Sequence, residues 1–153
     1  MRLLLAPLLA ALAAAGPAPL APAIDRIELG LSGFASASIE VSRQGGGRYH
    51  MSGGGRGAFA LAPAEFDRLR ERLEPFRGQA VPTSATSARQ LLEAACPRGV
   101  PYATDRGAIY IRWRGPATDR HFRFSLGCDA GRNSARNRAL MEIVYSLPVP
   151  LAR

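Results

Sequence analysis

Lysine is missing from this chain altogether. All 20 basic residues are arginine, set against 12 acids and only two histidines. Two histidines cannot furnish a histidine-rich metal site, and no closely spaced pair of ligands of the kind zinc sites use is present. No metal or cofactor is expected. Lysine-based nucleophiles are excluded, as is a phosphate loop, which needs Gly-Lys-Ser/Thr opening a helix. The glycine tracts at 45–47 and 53–55 are therefore read as turns. Aromatic residues are few, at 7%. Together with the absence of any known nucleic-acid-binding motif, that argues against a nucleic-acid partner despite the positive charge. Only one apolar run is long enough to notice, and it is N-terminal.

That run, Leu3 to Ala15, follows Arg2 and is interrupted only by Pro7. It has the length of a secretory h-region and falls short of the roughly 20 residues a bilayer span needs. Proline then recurs at 17, 19 and 22, and Ala21-Pro22-Ala23 meets the small-x-small rule for signal peptidase. We expect residues 1–23 to be a cleaved export signal, with Ala13-Ala14-Ala15 as the alternative cut, and 24–153 to be one small periplasmic or secreted domain. Loss of Arg2 with the signal leaves 19 arginines against 12 acids, a net charge of +7. Arginine presents a planar fork suited to carboxylates, phosphates and sulfates.

Cys96 and Cys128 are the only cysteines. In an oxidising compartment such a pair is most simply a disulfide. Closing a loop of this length stabilises the fold by about 3.5–4 kcal/mol on chain-entropy grounds.

Alternation predicts a strand from Ile24 to Phe34 with Ile27, Leu29 and Leu31 on one face. It predicts another from Ser36 to Ser42, with Ile39 and Val41 inward, and a third from Arg48 to Ser52 carrying Tyr49 and Met51. A fourth short strand covers Gly57 to Leu61. Pro63 opens a helix whose apolar stripe is Phe66, Leu69 and Leu73, and Pro75 is expected to end it. Residues 79–106 are the hardest to read; Ser87 to Gln90 could cap a short helix through Leu91, Leu92 and Ala95.

The plainest hairpin pairs Ala108 to Arg114 with Arg120 to Leu126 across a turn at 115–119. Ile109, Ile111 and Trp113 share one face with Phe122, Phe124 and Leu126. A last helix begins near Asn133 or Ser134 with a stripe of Leu140, Ile143, Val144 and Leu147. The expected fold is α+β: an antiparallel sheet built from hairpins, two main helices on one face, and one disulfide.

The runs Ser38 to Val41, Gly47 to Tyr49 and Phe59 to Leu69 resemble a family of small exported bacterial proteins of unknown function. So does Thr104 to Gly107 ahead of a hairpin ending in Gly127-Cys128-Asp129. The resemblance covers most of the chain after the signal. It implies the compartment and the fold, and no activity.

No catalytic constellation is visible. Gly30-Leu31-Ser32-Gly33 puts Phe34 where a nucleophile elbow needs glycine. One cluster stands out. On the side of the second hairpin away from the core, alternation gathers Tyr110, Arg112, Arg114, His121 and Arg123. Unpaired like charges on neighbouring strands repel, which invites an anionic partner; the competing outcome is that acids from elsewhere neutralise the face. The expectation is a non-catalytic binding module for an anionic envelope component or a partner protein, using these five residues. A small envelope hydrolase with a site assembled only in the fold is the alternative.

Overall fold

The computed structural model describes residues 23–33, 36–83 and 96–151. Met1 to Pro22 of the expected signal, and the short helix expected after Ser87, lie outside the described residues.

Seven strands form one antiparallel sheet: β1 (Arg26–Ser32), β2 (Ala37–Ser42), β3 (Gly46–Met51), β4 (Arg56–Ala60), β5 (Val81–Pro82), β6 (Ala108–Gly115) and β7 (Thr118–Ser125). Their order is β4-β3-β2-β1-β6-β7-β5. Two meanders, β1 to β4 and β6 to β7, are joined where β1 pairs with β6. Two helices, α1 (Pro63–Arg77) and α2 (Ser134–Tyr145), complete an α+β fold.

The side chains at every second strand position build the core. Ile27, Leu29, Ile39, Val41, Ile109, Ile111, Trp113, Phe122 and Phe124 are all buried. They pack with Phe66, Leu69 and Leu73 of α1 and with Leu140, Ile143, Val144 and Leu147 at α2 and its exit. Each lies on the apolar side expected from its period. Phe124, fully buried, meets Phe76 edge-on at 5.6 Å between ring centroids and Phe122 at 4.5 Å.

Three sequence expectations are corrected. Gly46 and Gly47 lie inside β3, not in a turn; the chain reverses at residues 43–45, with Gly45 at φ +102°. A Cβ on Gly47 would sit 2.1 Å from the Phe59 ring, and one on Gly57 would sit 2.6 Å from the Tyr49 hydroxyl. Gly47 faces Phe59 and Tyr49 faces Gly57 across the strand pair, so each aromatic ring folds over the glycine opposite it.

Pro75 does not end α1, which runs on to Arg77. Pro75 is solvent-exposed, so the hydrogen bond its missing N–H forgoes falls on the wet side, while Phe76 secures the final turn against Phe124. The β6–β7 turn is tighter than expected, because Gly115 already pairs with Thr118 and Asp119 is a strand residue opposite Arg114.

Cys96 and Cys128 form the disulfide, with Cα atoms 5.4 Å apart. α2 docks beside it by side-chain contacts to backbone: Asn133 Nδ2 donates to the Cys128 carbonyl, Asn137 Nδ2 to Leu126, and Arg136 Nη2 to Ser125. No helix among the described residues is long and apolar enough to cross a membrane.

Candidate functional site

The helices cover one face of the sheet and leave the alternate residues on the other. There β1 presents Arg26, Glu28, Gly30 and Ser32, and β6 presents Tyr110, Arg112 and Arg114. The β1–β6 register sets Glu28 opposite Arg112 and Gly30 opposite Tyr110. On the other side of β1, Glu28 faces Glu40 and Gly30 faces Ser38. β3 then adds Arg48 beside Glu40 and His50 beside Ser38.

This register produces two rows of opposite character. The first is a ladder of ion pairs. Arg114 Nη1 donates to Glu28 at 2.9 Å and Arg112 Nη1 to the same carboxylate at 3.4 Å. Arg112 also makes a two-pronged contact with Asp119, both distances 2.7 Å. Glu40 accepts from Arg48 at 2.9 Å and lies 3.7 Å from Arg26. The Arg112 hydrogen bonds hold the Asp119 carboxyl down to about 2, and Asp119 in turn raises the Arg112 guanidinium above its ordinary value. The Arg48 hydrogen bond lowers Glu40. Three acids therefore occupy four arginines, as fork-shaped donors on carboxylates do.

The second row runs alongside it: Arg56, His50, Ser38, Gly30, Tyr110 and Arg123, one residue from each of six neighbouring strands. Its middle is a shallow trough floored by Gly30 and Ser38 between Tyr110 and His50, with Glu28, Glu40 and Arg48 of the ion-pair ladder along one side. The hollow continues past Tyr110 to Ser32, Ala108 and Arg123, and past His50 to Ser36 and Ser52. Neither Arg56 nor Arg123 has a carboxylate within ion-pair distance among the described residues. Among the described residues, the Arg123 guanidinium donates to the Ser32 hydroxyl at 3.4 Å.

Tyr110 is fixed in place. Its hydroxyl lies 3.0 Å from His121 Nδ1, and the two rings meet edge to face at 5.6 Å. Burial raises the phenol pKa; burial first, and then Arg112, push the imidazole down. Both shifts favour the neutral forms of the two groups, and the hydroxyl and Nδ1 share one hydrogen bond.

All five residues singled out from the sequence share this face, yet they do different things. Arg112 and Arg114 are saturated by Glu28 and Asp119. His121, read as an outward polar residue, is only 5% exposed and serves Tyr110. Tyr110 and Arg123 border the trough. Glu28 and Gly30 escaped the sequence reading, and the only available signal was the alternation of β1, which marks them as outward. Alternation also placed Ser38 and His50 outward without tying them to the cluster. No group of three or more metal-ligating side chains occurs among the described residues. Comparison with known proteins gives no match: no family model fits the sequence, and no curated protein or solved structure is significantly similar to it.

Proposed function

We propose that this protein is an exported, non-catalytic binding module whose open sheet face takes an anionic component of the cell envelope. One observation carries the reading: a shallow, open face on which a row of side chains ends in Arg56 and Arg123, two guanidinium groups with no acid within ion-pair distance among the described residues. Such a face fits surface recognition better than bond cleavage, which calls for converging groups in a water-excluding cleft. The hydrolase alternative finds less support, since the hydrogen-bond partner of His121 is a phenol and not a carboxylate. Export is supported by the N-terminal apolar run and by the disulfide.

The test is binding of the purified protein to anionic polymers and anionic vesicles at low and high salt. Wild type is expected to bind at least one of them in a salt-sensitive manner. The Arg56→Glu, Arg123→Glu double variant, which leaves the ion-pair ladder untouched, should retain the fold and lose that binding. Absence of binding to every anionic probe at low ionic strength overturns the reading.

A further inference from the structure

Resting on that reading and naming its ligand, we infer that the trough is a subsite for an acidic polysaccharide, laid across the strands with a sugar ring against Tyr110. The length of the row comes first. From Arg56 on β4 to Arg123 on β7 there are five strand spacings, about 24 Å at roughly 4.8 Å each. Two unpaired cations that far apart cannot share one small anion. They suit an extended chain carrying charge at intervals.

The floor and walls choose the chemistry of that chain. The floor is small and level: a Cβ on Gly30 would lie 3.3 Å from the Tyr110 Cβ, so glycine lets the Tyr110 ring lie close over β1. Hollows open on both sides of that ring, and its hydroxyl is anchored to His121. An aromatic ring held in one orientation is a stacking platform already ordered before binding. Ser38 and Ser52 line the hollow past His50 with hydroxyls that can both donate and accept, matching the hydroxyls of a sugar, while the Ser32 and Ser36 hydroxyls bond backbone at Ala108 and Gly33.

Other anionic chains fit less well. A peptide recognised through its backbone needs a sheet edge, and this is a sheet face. A lipid surface is gripped by exposed apolar side chains, and the one large exposed hydrophobic residue among those described, Tyr102, is not among the residues lining the trough.

The deciding experiment compares oligogalacturonate, which carries rings and charge, with its methyl ester, which keeps the rings alone, with polyglutamate, which keeps the charge alone, and with phosphatidylglycerol vesicles. Oligogalacturonate should bind at least about tenfold more tightly than any of the other three. Tyr110→Ala should weaken it about five- to tenfold at every salt concentration, as loss of an aromatic contact does. Arg56→Gln with Arg123→Gln should flatten its salt dependence. Ser38→Gln, an exposed substitution that blocks the floor without touching the core, should abolish binding while thermal unfolding stays unchanged. Polyglutamate or vesicles bound as tightly as oligogalacturonate, or binding indifferent to both Tyr110→Ala and Ser38→Gln, would overturn the polysaccharide assignment and leave an anion-binding face standing. No binding to any of the charged probes would overturn both readings.

Discussion

The two faces of the central sheet are made by the same strands, yet they are stabilised in different ways. On the helix side, Ile27, Ile111, Trp113 and Phe124 are fully buried, and what matters there is apolar area removed from water and dense packing. On the open side the same strands carry Glu28, Arg112, Arg114 and Asp119, partly exposed and bonded to one another. A side chain on the covered face contributes by being large. A side chain on the open face contributes only if its neighbour across the register has the right charge. The covered face should therefore dominate stability and the open face should dominate recognition.

The hardest test of that division is Phe124→Ala. The ring is fully buried against Phe76 and Phe122, with the Arg136 guanidinium 5.7 Å from its centre. Its loss should cost about 3–5 kcal/mol in denaturant unfolding. A loss below about half a kcal/mol, far short of a core truncation, would mean that the covered face is not the stabilising one. Second in size is the disulfide, which lies outside the strands. Replacing Cys96 and Cys128 by alanine should cost about 3.5–4 kcal/mol, and unreduced peptide mapping of the native protein should recover the linked pair. Quantitative alkylation of both thiols in the folded protein would contradict the structure.

The covered face was legible in the sequence because its signal is local. Alternation within β6 and β7 marks Ile109, Ile111, Phe122 and Phe124 without knowledge of any other strand, and the stripes at Phe66 and Leu140 stand on their own helices. The open face was only half legible. The same alternation grouped Tyr110, Arg112, Arg114, His121 and Arg123, but left their partners unseen for two reasons. Placing the turn at 115–119 removed Asp119 from the strand, whereas the actual turn is tighter and aims it at Arg112. Glu28 is 84 residues from Arg112 in sequence, and no local pattern reveals that β1 lies beside β6. Gly47 was placed in a turn because the reason for a glycine there is the Phe59 ring on the opposite strand, a cross-strand fact as well.

A smaller effect sharpens the comparison in both directions at once. Glu28→Gln removes the carboxylate shared by Arg112 and Arg114. Partly exposed pairs contribute little, so stability should fall by about 1 kcal/mol, less at high salt. The two released guanidinium groups should at the same time strengthen salt-sensitive binding to anionic probes. Lower stability with unchanged binding would show that the ion-pair ladder does not mask a recognition surface.

The smallest expected effects separate two titrations by their pH windows. His121 has its folded-state pKa pushed below 6.5, chiefly by burial, so between the two values the unfolded chain binds more protons than the folded one. Stability should therefore decline as pH falls below about 6.5, the ordinary imidazole value. Asp119 is also depressed, from 3.8 to about 2, through its bonds to Arg112. Its contribution is fully present above pH 4 and is lost only as pH falls from about 4 toward 2. His121→Gln keeps a side chain able to bond the Tyr110 hydroxyl and should flatten the unfolding free energy just below about pH 6.5, leaving the limb below about pH 4 intact. Asp119→Asn should do the reverse, flattening only the limb below about pH 4. If His121→Gln leaves the slope just below about pH 6.5 unchanged, the imidazole titrates alike in both states, and the ring that holds Tyr110 in place is wetter than its 5% exposure implies.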